Sequence, residues 1–94
     1  MARIQQIRQK ILDRAYYLSA HAEEEMWADG LERRDVERVI LKGRIDRRMT
    51  HDPRGTRYRI EGRSLDGRLI HVVCRFHEAR DLIIITAYSL EEEP

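Results

Sequence analysis

His71 interrupts an otherwise aliphatic run, Leu69-Ile70-His71-Val72-Val73, where a purely structural strand would be served as well by another Leu, Ile or Val. Imidazole exchanges a proton near neutrality. Around it in the sequence stand Arg57, Arg59, Arg63 and Arg75, with Glu61 among them and Thr86 and Tyr88 further on. Arginine presents fixed planar donors that match phosphate oxygens, and tyrosine adds a hydroxyl and a ring on which a base can stack. Together these are the components of metal-independent RNA cleavage: a base for the 2′-hydroxyl, donors for charge developing on phosphorus, and an acid for the leaving 5′-oxygen. The same residues have a plainer reading, in which an open antiparallel sheet has one solvated face, its arginines pair with Glu61 across strands, and His71 is satisfied by Glu61. On composition alone the plainer reading is the simpler.

Other polar residues carry less. His21 sits beside Ser19 at the start of a helix, where capping or packing is the expected role; His51 and His77 fall in turns and are expected to be solvated. His71, Cys74 and His77 look like a ligand cluster along the chain, but period-two geometry puts His71 and Cys74 on opposite faces of a strand, so they cannot share a tetrahedral ion. No metal and no cofactor is expected, and Cys74 reads as a core residue without a base on its own face. Glu23-Glu24-Glu25 reads as a solvated first helical turn and Glu91-Glu92-Glu93-Pro94 as a frayed tail. There is no Gly-rich phosphate loop and no signature of a serine-based triad.

The elements that must position these residues follow from periodicity. Ile4, Ile7, Ile11 and Leu12 share one face of a first helix. Tyr16-Tyr17-Leu18 reads as an extended connection, and Ser19 as the cap of a second helix that stops near Gly30 and turns Ala22, Met26 and Trp27 inward. A third helix runs from about Arg33 to Lys42, with Val36, Val39 and Ile40 inward and Gly43 as its stop. From Arg44 the period becomes two, giving strands over 45–50, 56–64, 68–76 and 82–89, joined by turns at 52–55, 65–67 and 77–81. The expected fold is α+β, with N-terminal helices packed on one face of a four-stranded antiparallel meander. Leu82 to Ile85 is apolar on both faces, which places that strand inside the sheet.

Register decides which side chains meet. A two-residue Asp66-Gly67 turn would bury Arg57, Arg59 and Arg63 beside Ile70, Val72 and Cys74, at a cost of several kcal/mol each. A three-residue loop Leu65-Asp66-Gly67, a type I turn with Gly67 in the left-handed position, instead sets Arg63 against Leu69, Glu61 against His71, Arg59 against Val73 and Arg57 against Arg75. Placing Thr86 opposite His71 on the next strand would add Thr86 and Tyr88 to that arginine face.

Composition bounds the function. With 94 residues, the chain forms one domain; its 37% of charged residues nearly cancel, at +1, which excludes a uniformly basic nucleic-acid binder. The balance is local: residues 1–19 carry +3 and residues 44–68 carry +4, so that the second of these is the basic part of the β half. One cysteine excludes an internal disulfide framework and fits a reducing compartment, no segment is apolar for long enough to cross a bilayer, and a cytoplasmic location with no membrane partner is expected.

Ser19-Ala20-His21-Ala22, Asp35-Val36 before Lys42-Gly43, Tyr58-Arg59-Ile60-Glu61-Gly62-Arg63, Asp66-Gly67-Arg68-Leu69-Ile70-His71-Val72-Val73 and Ile85-Thr86-Ala87-Tyr88 resemble the signature of a small bacterial and archaeal family known only as a domain of unknown function. The resemblance spans residues 16–89. Its members are similar to the RelE-like and MqsR-like toxins of type II toxin-antitoxin systems, and many are encoded beside an MqsA-like zinc-finger antitoxin. The resemblance implies that residues 1–94 form a single RelE-like toxin domain: an endoribonuclease acting on messenger RNA, free or on the ribosome, and held by a cognate antitoxin. It also implies that His21, Arg59, His71, Thr86 and Tyr88 are the recurrent polar positions. His71 would then transfer the proton, Arg59 with Arg57 or Arg63 would hold the phosphate, and Tyr88 would stack or orient. His21 would be a second acid or base only if its helix brings it to the sheet edge. Arg57, Arg63 and Arg75 as RNA contacts follow from register rather than resemblance. The alternative is a non-catalytic module that uses the arginine face to bind nucleic acid or protein.

Overall fold

The structure is a computed structural model that describes residues 2–78 and 81–90. The 77–81 turn, in part, and the acidic tail at 91–94 fall outside the described residues. Helix α1, Arg3–Leu12, buries Ile7 and Ile11, whereas Leu12, expected inward, is largely exposed. After the short β1, Tyr16–Leu18, helix α2 (Ala20–Asp29) starts where the Ser19 hydroxyl accepts the Ala22 N–H at 3.0 Å and ends at Gly30 with φ +66°. Helix α3, Arg33–Lys42, starts with a capping box in which Glu32 and Asp35 each accept the other's backbone N–H. Strands β2 (Arg44–Met49), β3 (Arg57–Arg63), β4 (Leu69–His77) and β5 (Asp81–Ser89) complete the chain.

The sheet has five strands in the order β1-β5-β4-β3-β2, and β1 lies parallel to β5, with Tyr16 beside Leu82 and Leu18 beside Ile84. The four-stranded antiparallel meander expected from the sequence is therefore wrong, although the helix-plus-sheet class holds. The missed strand is Tyr16–Leu18, read as a connection. Three residues are too few to display a period, and a parallel partner at the far end of the chain leaves no hairpin turn to announce the pairing. The apolar run at Leu82 to Ile85 held the clue, because a strand closing a meander would be an edge, and β1 makes β5 interior.

Beyond β1, α2 takes over the outer edge of β5. The Ser19 hydroxyl donates to the Ile85 carbonyl at 2.8 Å, Glu25 accepts the Ala87 N–H at 3.1 Å, and Asp29 accepts the Ser89 N–H at 2.9 Å. Carboxylates four apart on a helix rise by about 6 Å, close to the 6.6–6.8 Å between alternate strand residues, so one helical face can satisfy an edge that would otherwise seek another strand. Glu25 is thus not part of a solvated run, although Glu23 and Glu24 are exposed as expected. Ala22 and Met26 reach the core, but Trp27, expected with them, is 89% exposed.

The core lies between the helices and one face of the sheet, where Ile7, Ala22, Val36, Val39 and Ile40 meet Ile60, Ile70, Val72, Cys74, Leu82, Ile84 and Ala87. Burial pushes the Cys74 thiol up to about 12. Two glycines let α3 lie against β3: a Cβ on Gly43 would stand 2.3 Å from the Glu61 carbonyl oxygen, and one on Gly62 would stand 3.2 Å from Gly43 Cα. Gly43 therefore does more than stop its helix, because it lets the chain enter β2 directly against β3.

Candidate functional site

The β3–β4 register is the expected one: Glu61 opposite His71, Arg59 opposite Val73, and Arg57 opposite Arg75. The Ser64 carbonyl accepts the Gly67 N–H at 3.0 Å, and Gly67 has φ +89°, as the three-residue loop requires. The β4–β5 register differs from expectation by two residues. His71 faces Tyr88 and Val73 faces Thr86: pairing of His77 with Asp81 already offsets the strands by one residue, and a bulge between Val73 and Cys74 adds the second. A shift of two keeps parity, so Thr86 and Tyr88 still join the arginine face.

Across that face, one row runs Arg44, Glu61, His71, Tyr88. His71 is 7% exposed, with Nε2 3.0 Å from Glu61 Oε2 and Nδ1 3.2 Å from the Tyr88 hydroxyl. A carboxylate only accepts, so Nε2 carries a proton; in the neutral ring Nδ1 then accepts from the Tyr88 hydroxyl. The rings of His71 and Tyr88 meet edge to face, with centroids 5.6 Å apart. Arg44 Nη2 anchors the other oxygen of Glu61 at 3.2 Å. The result is a carboxylate–imidazole–hydroxyl chain that ends on Tyr88, the hydroxyl at its open end.

The next row, Arg47, Arg59, Val73, Thr86, depends on a second irregularity, a bulge between Ile45 and Arg47. The extra residue is Asp46. Its carboxylate takes Arg59 Nε and Nη2, each at 3.0 Å, and lies 3.8 Å from His71 Nε2. The Arg59 hydrogen bonds hold the Asp46 carboxyl below the usual carboxylate range, against the opposing effect of burial. By strict alternation Arg47 would follow Ile45 onto the core face; the bulge turns it to the polar face opposite Arg59. Sequence reasoning missed both Asp46 and Arg47, since an unremarkable Ile-Asp-Arg-Arg run gives no sign of a bulge.

The third row sets Met49, Arg57, Arg75 and Ile83 side by side. Arg57 Nε donates to Asp52 at 2.8 Å, and Asp52 also accepts the Arg54 backbone N–H at 2.9 Å; that backbone bond, followed by Arg57, holds the Asp52 carboxyl well below its ordinary value. Arg75 has no such partner: its Nε is buried without a hydrogen bond among the described residues. Arg63 is on the same face at its far end, exposed, with Nη1 donating to the Gly67 carbonyl at 3.0 Å.

His21 is brought to the sheet edge. Its Nε2 lies 3.4 Å from Glu25, whose other oxygen accepts from the Thr86 hydroxyl and the Ala87 N–H, so α2 links an exposed imidazole to the second row. His77, expected in a turn, ends β4 and meets the Tyr17 hydroxyl through Nδ1 at 2.9 Å.

Asp46, Glu61 and His71 could each offer one ligand atom to a metal ion, all within 4.8 Å of one another. Arg59 already spans both oxygens of Asp46, and Arg44 sits on Glu61; a divalent cation would have to stand against two guanidinium groups. The donor set fits an internal ion-pair network better than a metal centre. No described helix is long and apolar enough to cross a membrane.

No curated protein and no solved structure gives a significant match to the chain. Residues 18–89 do match a family, described as a domain of unknown function, DUF4258; the match takes in β3, β4 and β5, which carry the Glu61–His71–Tyr88 chain, and leaves out α1, and through that stretch the chain belongs to this family.

Proposed function

We propose that the protein is the toxin component of a type II toxin-antitoxin pair, an endoribonuclease that cleaves messenger RNA without a metal. The reading rests on one observation, the Glu61–His71–Tyr88 chain opening onto an arginine face. The Tyr88 oxygen accepts the 2′-hydroxyl proton as its own passes to His71 Nδ1, leaving the imidazolium facing Glu61 and Asp46. The 2′-oxygen bonds to phosphorus, the bond to the 5′-oxygen breaks, and a 2′,3′-cyclic phosphate forms. His21 at the sheet edge is the candidate donor to the departing 5′-oxygen. Arg59, fixed by Asp46, offers its remaining N–H groups to the charge developing on phosphorus, while Arg47 and Arg75 hold flanking phosphates. A cognate antitoxin, a zinc-finger protein of the MqsA type, would silence the enzyme by laying an acidic segment on the same arginines.

Expression without the partner is expected to arrest growth, and the purified protein to cleave a labelled RNA in EDTA; Tyr88→Phe and His71→Asn should abolish both. Arrest and cleavage that survive both substitutions would refute this site.

The non-catalytic alternative has its own support, since both ring nitrogens of His71 are occupied and Arg57 and Arg59 are each matched by a carboxylate. It predicts salt-sensitive RNA binding with an intact RNA product in the same assay.

A further inference from the structure

The helix side of the sheet carries a second feature that the arginine face does not explain. Where Tyr58 of β3 and Phe76 of β4 meet α1 there is a cleft of about 490 Å³. Half-buried Phe76 and the edge of Tyr58, itself only 6% exposed, line it together with Arg3 and Lys10 of α1 and Gly55. No carboxylate among the described residues lines it. The Arg3 guanidinium carbon lies 5.3 Å from the Phe76 ring centroid and 5.9 Å from that of Tyr58, and Arg48 approaches Tyr58 at 5.7 Å.

Cations above aromatic rings can be mere cover for exposed ring faces. Two facts go further. Arg44, Arg54, Arg57, Arg59 and Arg68 each have a carboxylate partner, whereas Arg3 and Lys10 form no ion pair among the described residues. Lys10 also converges on the cleft without lying over a ring, so ring cover does not account for its position. Two cations without a carboxylate, Arg3 over the rings with only the neutral Gln6 amide as its acceptor and Lys10 beside them, in a volume typical of small-ligand sites, suit a ligand that is both flat and anionic.

We propose that this cleft binds a nucleotide unit, its base against Phe76 and the exposed edge of Tyr58 and its phosphate between Arg3 and Lys10. Stacking on a ring or on a guanidinium plane tolerates any base, so the site selects nucleotides as a class rather than a sequence. The unit can be a free nucleoside monophosphate or one residue of an RNA strand. A Cβ on Gly55 would lie 3.7 Å from the Arg75 side chain, so the rim of the cleft reaches the arginine face around the end of the sheet. The site does not depend on the ribonuclease reading: it lies on the other side of the sheet, and half of it comes from α1, outside the matched residues 18–89.

The test titrates the full chain with AMP, inorganic phosphate and a short single-stranded RNA, followed by calorimetry and by the Phe76 and Tyr58 ring signals in NMR spectra. AMP should move those signals and bind about tenfold more tightly than phosphate, the difference being the stacked base. Arg3→Ala and Lys10→Ala, both on the helix surface, should each weaken AMP by about fivefold. Phe76→Leu, with the fold checked by circular dichroism, should erase the advantage of AMP over phosphate. If RNA moves the same ring signals, the ligand is a strand; if only AMP does, it is a free nucleotide. Phosphate binding as tightly as AMP, AMP affinity unchanged in the Arg3 and Lys10 variants, or signals moving only at Tyr88 would overturn the assignment. Loss of RNA cleavage in a Tyr88 variant has no bearing on any of these readings.

Discussion

At the Tyr88 end of the polar face both nitrogens of His71 are partnered and its neighbouring carboxylate is itself held by Arg44; at the Arg75 end a guanidinium nitrogen is buried with no acceptor among the described residues. The two groups lie on one strand, four residues and about 13 Å apart. They are built on the same sheet by the same alternation and differ only in how their charge is balanced. A fully satisfied network fixes tautomer and ring orientation, which proton transfer requires. A surplus cation fixes nothing by itself but binds an anion without first giving up a partner. The contrast points to chemistry at one end and anchoring at the other, and each end should fail in its own way.

The largest effect is expected at the satisfied end. Tyr88→Phe removes the hydroxyl that stands between His71 and solvent while keeping the ring, and should lower RNA cleavage by about 10²–10⁴ at saturating substrate with little change in binding. His71→Asn should do the same. A rate loss confined to subsaturating RNA would mean that this end anchors as well, and the contrast would vanish.

Asp46 joins the two rows and should show the next largest effect. Asp46→Asn leaves Arg59 half-buried without its carboxylate and should cost on the order of 2 kcal/mol in urea unfolding. Because its folded carboxyl titrates below the usual value, Asp46 contributes stability that is present above pH 4 and is lost as pH falls through the lowered folded value. The wild type should therefore lose stability on acidification more steeply than Asp46→Asn. Parallel acid curves for the two proteins would show that the Arg59 pair adds nothing.

How much of this was legible in the sequence depends on whether a signal is local. The three-residue loop at Leu65-Asp66-Gly67 is local, and burial of guanidinium groups selects the Glu61–His71 register without any knowledge of the fold. The β4–β5 register differs from expectation by two residues, one from where His77 meets Asp81 and one from a bulge that carries no mark in the chain, yet the face survived, since parity is all that burial demands. At the other bulge the same blindness hid Asp46 and gave no sign that Arg47 joins the polar face. The strand Tyr16–Leu18 was lost because its partner lies at the other end of the chain, and Trp27 because one helix turn offers two neighbouring positions for the buried stripe and an edge-on helix uses the narrower set.

The smallest expected effect tests the unsatisfied end, where stability and binding should move in opposite directions. A buried donor without an acceptor costs free energy that an apolar side chain of similar length would not, so Arg75→Met should leave stability unchanged or raise it by up to about 1 kcal/mol. The same change removes one phosphate contact and should weaken RNA binding by several-fold while lowering the slope of log affinity against log salt by about one. Arg57→Met should differ, since it leaves Asp52 Oδ2 without the donor that Arg57 supplies at 2.8 Å, Arg54 remaining on Oδ1, and so should lose some stability as well as affinity. If Arg75→Met instead destabilises the protein as Arg57→Met does, the orphaned guanidinium is a structural cation like its neighbours, and the anchoring end of the face has no separate existence.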